Sequence, residues 1–366
     1  MGKSRTALRS SFCYAAFFVV MATFTSGTLC QLPAEAATKP PAGRTADREK
    51  RLDRVIRFLQ RTIDDLRDEQ RLAGEDHAAL EKQADAVTSF ESPQLEADFH
   101  GLADWYSGYL DWLKDRLEEL DDDLEQLSPS TFPGGEYWDN RFAEMINSQK
   151  ELAADLHDRV GLIAAEKKRL AGILGQRRLL EERLHELEER RNRIEKRGSE
   201  QKQPLQEKER DTLDRVKADF NAVQAELLSL PRVDEDIFRY YALMTERGRG
   251  EEEWLSLRIE EYEGLREVAV VLPLDTYRGA AAMEAACRRI VRMYEGLTGR
   301  LNRKIDELDR QWPAKPAGTI RELDHFRDMD DLRDTLRWRF ADQIGRYKIR
   351  SGAYNAELAE IHSGKP

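Results

Sequence analysis

Residues 142–194, FAEMINSQKELAADLHDRVGLIAAEKKRLAGILGQRRLLEERLHELEERRNRI, hold one heptad register without a break. One row of that register is Phe142, Gln149, Leu156, Ile163, Leu170, Arg177, Leu184 and Arg191. The companion row is Met145, Leu152, Arg159, Glu166, Ile173, Leu180, Leu187 and Ile194. Alternating spacings of 3 and 4 confine the apolar residues to a narrow stripe, which is buried only by winding against another helix. The stretch predicts a long coiled-coil arm, which from Tyr137 to Arg197 would reach on the order of 90 Å if continuous at 1.5 Å per residue.

The flanking sequence supplies an antiparallel partner. A predicted tip at Gly198–Pro204 is followed by Leu213, Val216, Phe220, Val223, Leu227 and Leu230, again at heptad spacing. That return helix covers less than half of the arm. Either Ile237–Val271 completes the cover beyond the bend at Leu230-Pro231, or part of the seam pairs with another chain. The polar seam positions Gln149, Arg159, Glu166, Arg177 and Arg191 are therefore candidate partner-binding residues: left unpaired, they would mark an open groove.

The rest of the chain reads as helix too. Charged residues make up 35% and aromatic residues 8%, the balance of long solvated helices rather than of a large globular core. The one β-branched run, Val268–Leu274, contains Pro273 and reads as a helix end followed by a turn. The fold class is all-α, an elongated multi-helix bundle with a long antiparallel coiled-coil hairpin. Its divisions are a signal peptide at 1–36, a lead-in at 37–46, a helical hairpin at 47–128, the arm and return helix at 137–230, and a C-terminal bundle at 233–362. Ser92-Pro93, Ser128–Gly135 and Pro313/Pro316 supply corners between helices. Gly248 and Gly250 are expected to interrupt a helix.

At the start, Lys3, Arg5 and Arg9 precede the apolar run Phe12–Phe24 and then Ala34-Glu35-Ala36. A basic segment, an apolar run too short to span a bilayer comfortably and an Ala-x-Ala site describe a secretory signal peptide. The expected location is the periplasm or another extracytoplasmic space, with an uncleaved membrane anchor as the alternative. Membrane contact is expected only through that segment. The chain carries a net charge of −11; the leader contributes +2, so the mature part is at −13, which repels nucleic acid. Cys287 is the only cysteine after the leader, so no internal disulfide is available; its place in the apolar row Met283, Cys287, Ile290, Tyr294, Leu297, Leu301 suits a small buried hydrophobe.

Trp105, Tyr109 and Trp112 share a helix face at i, i+4 and i+7. They form either a bundle core, the favoured reading, or a stacking surface for a glycan or a partner helix. The acidic run Glu118–Glu125 lacks the pattern of a calcium loop and reads as a solvated face. The same reading is given to Arg337, Arg339, Arg346, Lys348 and Arg350. Glu322 and His325 form one Glu-x-x-His, where a di-iron bundle needs two such motifs and two further glutamates. No histidine sits four residues from another, and no phosphate loop, nucleophile elbow or CxxC pair occurs.

No cofactor, metal or catalytic residue is thus expected. The reading is a non-enzymatic, exported coiled-coil structural or adaptor protein. Its partner is an envelope protein of unknown identity, or a second copy of the chain in a homo-oligomer. A non-catalytic cell-wall or carbohydrate-binding module is the alternative, and a metal-dependent helical-bundle enzyme is the third reading. The general pattern is similar to that of murein-hydrolase activators, efflux-adaptor hairpins and the periplasmic regions of large mechanosensitive channels. The other domains of those proteins have no counterpart here, and no family is assigned.

Overall fold

The computed structural model describes residues 42–87, 92–128, 133–200, 206–274, 276–311 and 320–363. The leader and the lead-in as far as Pro41 lie outside them. Among the described residues the fold is all-α, with seven helices: α1 Ala42–Val87, α2 Pro93–Gln126, α3 Gly135–Glu200, α4 Glu207–Ser229, α5 Glu235–Val271, α6 Thr276–Gln311 and α7 Ile320–Ser363.

Local chemistry sets several of these ends. Pro93 opens α2, where a missing N–H costs nothing. The Asp234 carboxylate caps α5 by accepting from the Asp236 N–H at 2.9 Å. At α4, Gln206 and Glu209 bond each other's backbone N–H in a capping box. The Val268–Leu274 run ends α5 and turns, with Leu274 N–H donating to the Val271 carbonyl at 3.1 Å.

The helices pack in hairpins, α1 with α2 and α6 with α7, while α3 takes both α4 and α5 as its return. The α3 pairing is antiparallel: Asp139, Lys150, His157, Lys167 and Arg178 meet Arg266, Glu263, Glu252, Glu246 and Glu235 in turn, and Glu195 meets Lys217 of α4. Ile237–Val271 therefore completes the cover of the arm. α3 packs on helices from both sides of residue 230, α4 before it and α5 after it, and residues from Ala42 onward group as one unit.

Two glycines behave differently from expectation. α5 runs unbroken through Gly248 and Gly250. A Cβ on Gly248 would collide with the Val160 side chain of α3, and one on Gly250 would lie 2.7 Å from Leu336 Cδ2 of α7. Both positions are small because neighbouring helices approach closely there, which outweighs the lower helix propensity of glycine.

Candidate functional site

The arm seam is turned inward along its whole length. Of its sixteen positions none is exposed: Phe142, Met145, Gln149, Leu156, Ile163, Leu170 and Leu180 are buried and the others half-buried. The polar seam residues find partners, though mostly not carboxylates of the return helices. Arg159 donates to Asp155 at 2.9 Å and to the Gly101 carbonyl of α2 at 2.6 Å. Glu166 is held by Arg169 at 2.6 and 2.7 Å, one turn on in its own helix, which keeps its carboxyl below the usual glutamate range. Arg177 reaches the Pro231 carbonyl at 3.5 Å and Glu181 at 3.9 Å. Arg191 pairs with Glu188 and lies 5.2 Å over the Phe220 ring of α4. Gln149 is the exception: it is fully buried, and neither its Oε1 nor its Nε2 has a hydrogen-bond partner. These residues tie the arm to its own chain and do not line an open groove.

The aromatic face is closed as well. Trp105 and Tyr109 are buried; Trp105 Nε1 donates to the Leu152 carbonyl of α3 at 3.0 Å, and the half-buried Trp112 donates to Ser148 Oγ at 2.9 Å. The three rings stack in series at 5.3 and 5.9 Å between centroids. A glycan platform needs open ring faces, so the residues fill the α2–α3 interface and offer no platform of that kind.

Of the charged residues read as solvated faces, Glu118, Asp122, Glu125, Arg337 and Lys348 are exposed as read, and three others are buried. Asp123 is buried against Arg141 and Tyr137. Arg339 and Arg350 are buried, while Lys348 stays exposed. With Glu69, Asp76, Glu251, Arg258 and Glu261 they form an ionic layer that crosses the bundle.

Its centre is Glu69 of α1. Glu69 accepts from Tyr109 of α2, from Trp254 Nε1 at 3.3 Å and from Arg258 Nε at 2.9 Å, both on α5. Arg258 is completed by Glu261 at 2.5 Å and the Tyr262 hydroxyl at 2.7 Å. Glu261 also accepts from Tyr294 of α6 at 3.2 Å and pairs with Arg350 of α7. One step along, Glu251 accepts from Tyr106 at 3.3 Å and from Arg339 at 2.7 Å; Arg339 and Arg247 share Asp76 at 3.2 and 2.7 Å. The Arg339 guanidinium lies 4.3 Å over the Trp254 ring.

Burial pushes the Tyr106 and Tyr109 hydroxyls far above the ordinary tyrosine range, and the neighbouring carboxylates add to it, so both remain donors. Burial also raises the Glu251 carboxyl, against the pull of Arg339. The open space beside the layer, bordered by Asp68, Trp254, Gln343 and Arg346, is about 10 Å3, room for one water. Its charged groups serve one another, the arrangement of a structural network.

Among the described residues no three His, Cys, Asp or Glu side chains are placed to share a metal ion. The side chains of Glu322 and His325 lie outside the description. No described helix is long and apolar enough to cross a membrane. Comparison with protein families, characterised proteins and solved structures finds no match to this chain.

Proposed function

We propose that this chain is an exported structural or adaptor protein of the bacterial cell envelope, whose arm meets a protein partner. One observation carries the reading. α4 packs on α3 and on no other helix to a comparable extent, which supports reading the outer part of the arm as a two-helix hairpin that stands clear of the bundle. That outer part adds little to the core: Leu180, Val216 and Val223 are its buried residues beyond Leu170 among the described residues. It nevertheless carries a charged and polar surface, with Arg183, Glu186, Arg190, Asn192 and Asp219 exposed. A long helical arm with little stabilising role is suited to reach and display. The leader sequence supports the compartment, and the occupied ionic layer supports a scaffold in preference to a catalyst.

The test has two arms. An alkaline phosphatase fusion to the full chain should be active in a bacterial host, and an inactive fusion would remove the extracytoplasmic reading. Replacing residues 177–229 by a short Gly/Ser linker should leave the bundle folded, with helicity reduced in proportion, and abolish the function of the chain in its native host. Full function without the arm would overturn the adaptor role.

A further inference from the structure

α1 and α7 run antiparallel for about 30 Å, and they meet through charges. From one end to the other, Glu357 of α7 lies in the field of Arg54, Arg57 and Arg61 of α1, Arg350 pairs with Asp65, Arg346 with Asp68, and Arg339 with Asp76. Along α1 the residues facing α7 change from basic at 54–61 to mainly acidic at 65–76, and α7 meets most of them with the opposite sign, Arg61 against Arg350 being a like-charge exception. The main chains stay apart: α7 packs closely on α6 and α5 and meets α1 through these long side chains.

The closed seam is incompletely satisfied. Arg339 Nε is buried without a hydrogen-bond partner within the α1–α7 seam, and beside it the buried Gln343 and Tyr347 side chains have only each other. Gln343 is 4% exposed and borders the crevice between the two helices. Buried ion pairs lose hydration that their attraction only partly returns, and each orphaned polar atom adds to the cost. Opening the seam returns water to all of these groups. The apolar packing of Tyr294, Leu297 and Leu301 of α6 and Phe340 and Ile344 of α7 within the core resists global loss of the hairpin.

We propose that the α6–α7 hairpin is a releasable latch: α7 lifts from α1 along this charge zipper, with the α5–α6 packing as the hinge, and ionic strength sets the balance. This goes beyond the adaptor reading and does not depend on it. Opening lets water hydrate the released charges and lets salt screen them, whereas the buried pairs of the closed form are screened much less, so high ionic strength favours the open form.

Spin labels at Gln60→Cys and Asn355→Cys, both exposed, in the full chain carrying Cys13→Ala, Cys30→Ala and Cys287→Ala, give the α1–α7 distance by double electron–electron resonance. Raising NaCl from about 0.05 M to about 1 M should enlarge a longer-distance population at least severalfold, with helicity by circular dichroism unchanged. In the same labelled chain, the paired change Glu251→Leu with Arg339→Met should weaken that response. A single distance at every salt concentration overturns the latch. So does a salt response that persists unchanged in the paired variant, or one that tracks loss of helicity.

Discussion

Gln149 is the residue at which the arm contradicts its own pattern, a fully buried amide in an apolar seam with no partner for either polar atom. An unmade hydrogen bond of that kind costs about 1–3 kcal/mol. Gln149→Met keeps the volume and removes the polar atoms, so urea unfolding should show a gain of about 1 kcal/mol or more. Cys287 is buried and its thiol is pushed up to about 12, first by burial and then by Glu357. Thiolate is the reactive form, so a disulfide reagent near pH 8 should label the native chain at least about a hundredfold more slowly than the unfolded one. Glu251 governs a pH dependence. Its carboxyl is raised in the folded chain by burial, so the folded state binds more protons than the unfolded state between the ordinary glutamate value and the raised one. Its contribution to stability is complete below the ordinary range and is lost as pH rises through the folded value. Unfolding free energies measured across that range should slope downward with pH, and Glu251→Gln should flatten the slope. An unchanged slope in the variant would assign the effect to other groups.

Among the elements, α5 shows best why some structure was legible and some was not. Gly248 looks like a helix breaker in sequence, yet α3 packs closely against it, with Val160 filling the space a Cβ would need. Gly248→Ala should lower stability by about 1–3 kcal/mol through overpacking, and adding Val160→Ala should recover part of the loss. The helices themselves were readable because apolar rows at spacings of 3 and 4 have one cheap solution, burial against another helix; the α6 row from Met283 to Leu301 is buried as its pattern implied. The ionic layer was not read, although a signal existed. On α1, the row Val55, Thr62, Glu69, Asp76 runs in register with the apolar row Leu59, Leu66, Ala73, Leu80. On α5, Glu251 and Arg258 continue the row of Met244 and Leu265. Charges that keep the phase of a core row are candidates for burial, but only the fold shows which opposite charge meets them. In a chain with 35% charged residues most charges are solvated, and phase alone does not choose among them.

At the scale of the whole molecule, three hairpins share a core that is apolar near Phe58, Phe142 and Met145 and ionic where α1, α5 and α7 converge. α3 links the bundle to the arm, and its length, on the order of 100 Å for 66 residues, is the largest commitment of sequence in the chain. That commitment is the basis of the adaptor reading, and photo-crosslinking in living cells tests it most directly. A photoreactive amino acid placed in turn at the exposed arm positions Arg183, Glu186, Asn192 and Asp219, and at the exposed bundle positions Lys114 and Arg292, would be activated and the crosslinked partners identified by mass. The account predicts crosslinks to one envelope protein, or to a second copy of the chain, from the arm positions and not from the bundle positions. Crosslinks confined to the bundle positions, or to cytoplasmic proteins, would contradict it.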